Sequence, residues 1–327
     1  MQIVKRFARP ALQFFGIILF VLTFWTCTES PTGVGNSSND SLGVSWTVQS
    51  SGTTGDFNSV VWAGSQWVAV TTLGNILTSS NGVKWTTRVS KTTNVQIVTW
   101  TGSQLVAVGD GDTVLTSPDG INWTVRHSGF SGLLNAITWT GSQLVAGGIS
   151  DTGYMSAFIT SPDGITWTVR SSGTQDAPGS IIWADNQLVA GCQSSILTSP
   201  DGVTWTQRAQ ESNGDGVSVA WTGNQFVAVG TKLSTPNATG FVQTSPDGVN
   251  WTSHDSTSLL SHPLLFSPIW TGKLLVAVGL NGQILTSLDG LNWVPRISGT
   301  NKFLVSVASS GNRLVAVGLG NVILTSP

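Results

Sequence analysis

Two tryptophan positions recur along most of the chain, and their spacing is the strongest constraint on the fold. In the first series the tryptophan follows a turn, and successive members are 38 to 46 residues apart: Trp46, Trp85, Trp123, Trp167, Trp205, Trp251 and Trp293. In the second series it ends an apolar run: Trp62, Trp100, Trp139, Trp183, Trp221 and Trp270, with Ser309 in the seventh place. Thirteen of the 15 tryptophans therefore occupy repeat positions.

Each repeat contains four short apolar, β-branched runs that are separated by Gly, Asn, Ser, Pro or Asp. Such runs are typical of strands, and about 40 residues with four strands per unit is typical of a β-propeller blade. The runs are mixed apolar stretches because each blade is covered on both faces by its neighbours. We therefore predict an all-β protein, a seven-bladed β-propeller of four-stranded antiparallel blades.

The two ends of the repeat region complement each other. The last repeat stops at Pro327, before its fourth strand, whereas Ser45–Ser50 resembles a fourth strand with no repeat in front of it. We predict that this N-terminal strand completes the C-terminal blade and closes the ring, since an unpaired blade edge would invite association with another chain.

Composition excludes other classes. Only 9% of the residues are charged and only two are glutamates, so helical bundles and coiled coils are excluded. Disorder is excluded by the 40% hydrophobic content. Removal of the N-terminal bases Lys5, Arg6 and Arg9 would leave eleven basic against sixteen acidic residues, a balance that does not favour nucleic acid.

The N-terminus has the layout of an export signal. Three basic residues precede the apolar stretch Ala11–Trp25, which is shorter than the roughly 20 residues of a membrane span, and Cys27 follows it. This layout resembles a bacterial lipoprotein signal, in which the cysteine is lipidated, although Phe24 and Thr26 depart from the usual small residues. An uncleaved short anchor and a signal cleaved elsewhere are the alternatives.

These observations divide the chain into three parts. We predict a lipoprotein-type signal peptide over residues 1–26, a flexible Ser/Gly/Asn-rich tether over 27–44 and the propeller over 45–327. If Cys27 carries lipid, Cys192 has no disulfide partner. The expected location is the bacterial cell envelope, periplasmic or surface-exposed, with contact to the membrane through the lipid only.

A turn motif recurs before most tryptophans of the first series. It reads SPDG four times, with SLDG and SSNG as variants. Its residues suit a type I turn in which Ser and Asp accept backbone N–H bonds and Gly takes a positive φ. The aspartates are Asp119, Asp163, Asp201, Asp247 and Asp289.

The motif resembles the Asp-box, or bacterial neuraminidase repeat, but is one residue shorter because Gly follows Asp directly. The repeat style is also similar to that of propellers of the photosystem II assembly-factor type. In Asp-box families the boxes lie away from the catalytic face, so the aspartates are expected to be structural.

The resemblance to neuraminidase repeats suggests sialidase activity. Sialidases use an arginine triad that binds the substrate carboxylate, a Tyr nucleophile activated by a Glu, and an Asp that acts as acid and base. The propeller has one tyrosine, Tyr154, and one glutamate, Glu211, in different repeats. Five arginines occupy one repeating slot on the outermost strand, where we expect solvent-facing charge that discourages sheet addition. No histidine pair has metal-ligand spacing. We therefore expect a protein that is not an enzyme and binds no metal or cofactor.

Loop lengths vary on one side of the predicted ring only. Two insertions separate second and third strands, at Ile149–Ala157 and Thr231–Gly240, and one, Ser258–Pro268, joins two blades. All three connections open onto the face opposite the turn motifs. They carry unusual apolar residues, and the candidate binding face is Tyr154, Met155, Phe158, Leu259, Leu260 and His262. Leu264, Leu265 and Phe266 either extend this face or begin an innermost strand. Tolerated drift of surface loops is the alternative.

Three functions are compatible with these features. The first is a non-catalytic, membrane-tethered binding or scaffold protein, a monomer with a protein or glycan partner. The second is a glycan-binding or adhesin-like module. The third is a glycoside hydrolase with an unrecognised site, which would need an acidic cluster at the channel mouth.

Overall fold

A computed structural model describes residues 42–90, 95–151, 156–211, 214–232, 238–254 and 265–327. These residues form seven four-stranded antiparallel sheets, which confirms the predicted β-propeller. The first strands of successive sheets contact one another around a closed ring, and that of the last sheet contacts that of the first. Within these ranges no helix is long and apolar enough to cross a membrane.

The first described strand is β1 (Thr47–Gln49), and the blades are numbered along the chain after it. Blade 1 contains β2 (Phe57–Trp62), β3 (Trp67–Thr71), β4 (Ile76–Ser79) and β5 (Thr86–Val89). Blade 2 contains β6 (Val95–Trp100), β7 (Leu105–Gly109), β8 (Thr113–Ser117) and β9 (Thr124–His127). Blade 3 contains β10 (Gly132–Trp139), β11 (Leu144–Ser150), β12 (Ser156–Ser161) and β13 (Thr168–Ser171). Blade 4 contains β14 (Pro178–Ala184), β15 (Gln187–Cys192), β16 (Ser195–Ser199) and β17 (Thr206–Gln210). Blade 5 contains β18 (Gly214–Trp221), β19 (Phe226–Lys232), β20 (Thr239–Ser245) and β21 (Thr252–His254).

Blade 6 contains β22 (Leu265–Trp270), β23 (Leu275–Gly279), the 3₁₀ turn Leu280–Gly282, β24 (Ile284–Ser287) and β25 (Trp293–Arg296). Blade 7 contains β26 (Leu304–Ser309), β27 (Leu314–Gly318) and β28 (Ile323–Ser326), together with β1.

The hydrophobic core is divided among the junctions between blades. Seven clusters of buried residues are present, and each joins two neighbouring blades, including blades 1 and 7. Most residues of the second strands are buried, as all five of Leu105–Gly109 are, because both faces of these strands meet a neighbour. In the described part of the chain no blade has a core of its own, so each depends on the two blades beside it.

The N-terminal strand closes the ring as predicted. Strand β1 pairs with β28 in an antiparallel register that places Thr47 opposite Thr325 and Gln49 opposite Ile323. The side-chain amide of Gln49 also donates to Oγ1 of Thr325 at 2.9 Å. Blade 7 is therefore built from both ends of the propeller.

Closure also rebuilds the turn that precedes the fourth strand. The backbone N–H of Gly43 donates to Oγ of Ser326 at 2.8 Å, and the Trp46 indole N–H donates to the Gly43 carbonyl at 3.1 Å. In blade 2 the same bonds join Gly120 to Ser117 and Trp123 to Gly120 within one continuous turn. Leu42–Trp46 thus supplies the second half of the seventh turn.

The continuous turns follow one hydrogen-bonding scheme. In each, the Asp or Asn side chain accepts backbone N–H bonds from the second and third residues after it, as Asp119 does from Ile121 and Asn122 at 2.9 and 2.8 Å. The turn glycines have φ between 70° and 77°, a left-handed conformation that favours glycine. All seven tryptophans of the first series donate their indole N–H to the turn glycine carbonyl.

The repeating arginines have a hydrogen-bond partner that the sequence did not indicate. They lie exposed or half-buried on the outermost strands, and each donates its Nε–H to the hydroxyl of a threonine on the third strand: Arg88–Thr78, Arg126–Thr116, Arg170–Thr160, Arg208–Thr198 and Arg296–Thr286. His254 in blade 5 and Gln49 in blade 7 bind the equivalent threonines. The slot therefore links the two outer strands in every blade.

The hydrogen bonds in the turns lower the pKa of all five turn aspartates. For Asp119 the backbone N–H of Asn122 has the largest effect, followed by that of Ile121, because both stabilise the carboxylate. For Asp289 burial acts in the opposite direction, but the bonds from Asn292 and Leu291 outweigh it and lower the pKa to about 2. The pKa values of Asp163, Asp201 and Asp247 are lowered in the same way.

These lowered pKa values predict a defined acid sensitivity. A carboxyl group with a lower pKa when folded adds stability above its unfolded pKa of about 4, and that stability is lost as pH falls towards about 2. We expect the melting temperature of the double variant Asp119→Asn, Asp289→Asn to fall less steeply than that of the wild type over this interval. Calorimetry at a series of pH values measures this, and identical slopes would contradict the assignment.

Candidate functional site

The two faces of the ring are constructed differently. On the turn face, the residue at or immediately before the start of the second strand of one blade binds the turn of the next blade. Its side chain donates to the carbonyl of the turn Asp or Asn at 2.6 to 3.0 Å: Gln66–Asp119, Gln104–Asp163, Gln143–Asp201, Gln187–Asp247, Gln225–Asp289 and Arg313–Asn81. At the remaining junction Leu274 packs in one cluster with Leu42 and Trp46. Six of the seven junctions on this face therefore share one hydrogen-bonded arrangement.

The opposite face, the loop face, carries the hairpins between second and third strands and the connections between blades. The described strand ends next to the three insertions, those of β11, β19 and β22, lie at this face. Tyr154, Met155, Leu259, Leu260 and His262 lie outside the described residues, so their place in a binding face stays a prediction.

Phe158 requires a correction, because it does not lie on an exposed face. It belongs to β12, is 0% exposed and stacks on Trp205 of blade 4, with ring centroids 3.7 Å apart and 13° between the planes. It occupies the third-strand position that Ile76 and Ile196 occupy in other blades, where the side chain points between blades. A Cβ atom at Gly147 would lie 3.2 Å from its ring, so glycine there makes room for it.

Irregular first strands shape the centre of the loop face. Every first strand has a register shift near its loop-face end, between Phe57 and Ser59 in blade 1 and between Phe266 and Ile269 in blade 6. Such bulges bend a strand and re-aim its side chains. In blade 6 the bulge includes Ser267, whose φ of 49° is left-handed, and its hydroxyl accepts the Val307 N–H of blade 7 at 3.2 Å.

The bulge of blade 6 brings two aromatic rings together. Phe266 and Phe303 of blade 7 are partly buried, with ring centroids 5.5 Å apart and 51° between the planes. On the other side, Phe266 lies against Gly216 of blade 5, where a Cβ atom would be 3.3 Å from the ring. We call Phe266 and Phe303 the aromatic pair; three blades position it.

The sequence signals for these two residues differ. Phe266 stood in an insertion with unusual apolar content, whereas Phe303 lies in a connection of ordinary length. Phe303 occupies the place immediately before the first strand where blade 1 has Asp56. An apolar residue at a place that is acidic in another repeat is the signal that could have found it.

Carboxylates outnumber cations on the described part of the loop face. The acidic residues there are Asp56, Asp110, Asp112, Asp151, Asp176 and Glu211, against Lys232, Lys302 and His127. Glu211 pairs with Lys232 at 3.2 Å and Asp112 with His127 at 2.9 Å. The other four accept hydrogen bonds from neutral groups, for example Asp56 from the Gly320 N–H at 2.6 Å.

The candidate chemical groups are dispersed in the described residues. No three His, Cys, Asp or Glu side chains there are grouped so as to hold a metal ion. Cys192 is a free thiol that is fully buried, and burial is the main factor that raises its pKa, which makes it a poor nucleophile. Asp56 and Asp176 each hold the loop of a neighbouring hairpin, through Gly320 and Ser194 respectively.

Comparison with known proteins identifies the architecture only. No protein-family profile and no curated protein sequence matches the chain. Among solved structures, YCF48 from Cyanidioschyzon merolae is similar with a TM-score of 0.65 at 17% identity, over 86% of this chain and 98% of that one. YCF48 bound to a D1 peptide has a TM-score of 0.68 at 15% identity, over 86% of this chain and 94% of that one.

BamB from Moraxella catarrhalis is a more distant match, with a TM-score of 0.53 at 14% identity over 83% of this chain and 82% of that one. At these identities the matches establish the fold. The chain is a seven-bladed β-propeller that is similar in fold to YCF48.

The different settings of Phe158 and Phe303 predict different effects of truncation. Phe158→Ala should lower the free energy of unfolding by about 3–5 kcal/mol, because it leaves a cavity between blades 3 and 4. Phe303→Ala, at a partly exposed ring, should cost less than about 1.5 kcal/mol. Urea unfolding measures both values, and equal losses would show that Phe303 is a core residue.

Proposed function

We propose that the protein is a non-catalytic scaffold of the bacterial cell envelope that binds a protein partner on its loop face. The observation that carries this proposal is the contrast between the two faces. The turn face repeats one hydrogen-bonded arrangement at successive junctions, whereas the loop face varies in length and holds the aromatic pair. Variable loops on a rigid ring are a common way to build a binding surface.

The solved relatives support a protein partner more than a glycan. One structure similar to this chain is YCF48 with a D1 peptide bound to it, so a propeller of this architecture accommodates a peptide. A glycan-binding or adhesin-like role is the second candidate, supported by Tyr154 in an insertion of the loop face.

The N-terminus supports a membrane tether. Cys27 follows a charged and apolar segment, and the residues after it form the proposed tether. The propeller begins in the seventh turn, where Gly43 binds Ser326, so the chain joins the ring on the turn face. Attachment there leaves the loop face without a covalent connection to the anchor. Lipidation predicts that fatty-acid labelling is present in the wild type and lost in Cys27→Ala.

Site-specific photo-crosslinking in cells tests the binding proposal. A photoreactive amino acid at position 303 should give a discrete cross-linked protein, whereas the same group at position 288 should not. Leu288 is a suitable control because it is apolar and 76% exposed but lies in a turn of the opposite face. Cross-links at 288 only, or none at 303, would contradict loop-face binding. Retention on a glycan array that is lost in Tyr154→Ala would favour the second candidate.

A further inference from the structure

We infer that the loop face binds a positively charged peptide segment whose apolar side chains pack on the aromatic pair while its basic groups meet carboxylates of the same face. This inference rests on the proposed function and specifies the partner's chemistry. It is carried by the position of the aromatic pair, by the excess of carboxylates on the described part of the loop face and by the orientation of the basic residues.

The aromatic pair provides the apolar part of this surface. Phe266 and Phe303 are held by neighbouring blades, and the Ser267–Val307 hydrogen bond fixes the bulge between them. Their orientation is therefore set before a partner binds, which lowers the entropic cost of association. Phenyl faces also attract the guanidinium and ammonium groups of a basic peptide.

The carboxylates provide the charge. Asp56 and Asp176 are held by backbone N–H groups of Gly320 and Ser194, which are neutral, so their negative charges are fixed in place and are not cancelled by these partners. Asp56 lies close to the aromatic pair: Gly320, which binds it, is one residue from Leu319, whose N–H donates to the Phe303 carbonyl at 2.8 Å. These charges lie on the same face as the pair, where they steer a cationic segment towards it.

The basic residues of the ring compensate this charge poorly. In the outermost strands the arginine backbone lies near the loop-face end, as Arg296 opposite Ile284 shows, but its side chain binds Thr286, two residues nearer the turn face. Lys232 is occupied by Glu211. The Lys302 side chain lies along Gly320, whose N–H binds Asp56, so this one cation offsets the charge of Asp56 in part. Carboxylates still outnumber cations on the described part of this face, which favours a basic segment over an acidic peptide, a nucleic acid or an anionic lipid surface.

Fluorescence anisotropy with two labelled peptides tests the inference on the full-length protein. Both are about twelve residues long, enough to span roughly 40 Å when extended. One alternates arginine and leucine, and the other alternates glutamate and leucine. We expect the arginine peptide to bind at least about tenfold more tightly at low salt, and the difference to shrink as salt screens the charges.

Matched variants locate the interaction. The double variant Asp56→Asn, Asp176→Asn should weaken binding of the arginine peptide about threefold to tenfold, the range expected for losing two exposed ion pairs. Phe303→Ala should weaken binding of this peptide as well. Asp119→Asn removes one charge from the turn face and should change nothing, since Asn81 already occupies that place in the first turn.

Each of three results would overturn the inference: equal or tighter binding of the glutamate peptide, no binding of the arginine peptide, or equal effects of the loop-face and turn-face variants. Its failure is distinguishable from that of the proposed function. A protein that cross-links at position 303 through an acidic or neutral segment would leave the scaffold role intact and remove the charge preference.

Discussion

The pairing of β1 with β28 is the interaction on which the rest of the structure depends. All seven hydrophobic clusters lie between blades, so each blade is stable only while both neighbours are present. Without β1, blade 7 would expose the edge of β28 and lose the seventh turn that Gly43 and Trp46 complete. The Ser326–Gly43 bond joins residues 283 positions apart, and it makes the seventh turn equivalent to the others.

A closed ring explains why the two faces can diverge. The turn face carries the bonds from one blade to the next, such as Gln104 to Asp163, and any change of length there would misplace a donor or acceptor. Hairpins of the loop face have no equivalent constraint, so the strands can lengthen, as β11 and β12 do, or bulge, as β22 does. Rigidity at one face thus allows the length and shape of the other to vary from blade to blade.

The features that recur in every blade could be predicted from the sequence, whereas those that occur in one blade only could not. Tryptophan spacing and the turn residues predicted seven blades, the closing strand and the hydrogen bonds of Asp119. Phe158 occupies a repeat position whose equivalents, such as Ile196, are core residues, but its place beside an insertion suggested that it is exposed. In the same way Leu42–Trp46 matches the second half of a turn, although half of that motif lies at the other end of the chain.

Contacts between side chains of different repeats could not be predicted from the repeat pattern. Phe266 and Phe303 come together because of a left-handed φ at Ser267 and a glycine at position 216, and neither feature has a periodic signature. The arginine slot was visible as a repeat, but its threonine partner could be recognised only once the register of the third and fourth strands was known. Local geometry of this kind depends on tertiary packing.

Closure of the ring is the central claim, and an engineered disulfide tests it most directly. Thr47 and Thr325 are directly paired in the β1–β28 register, so the double variant Thr47→Cys, Thr325→Cys should form an intramolecular disulfide under mild oxidation. Cys192 is buried and should not interfere. Closing a loop of nearly the whole propeller should raise stability by up to about 5 kcal/mol in urea unfolding, reversibly with reductant. Disulfide-linked dimers in place of the internal bond, or no bond at all, would contradict closure by the N-terminal strand.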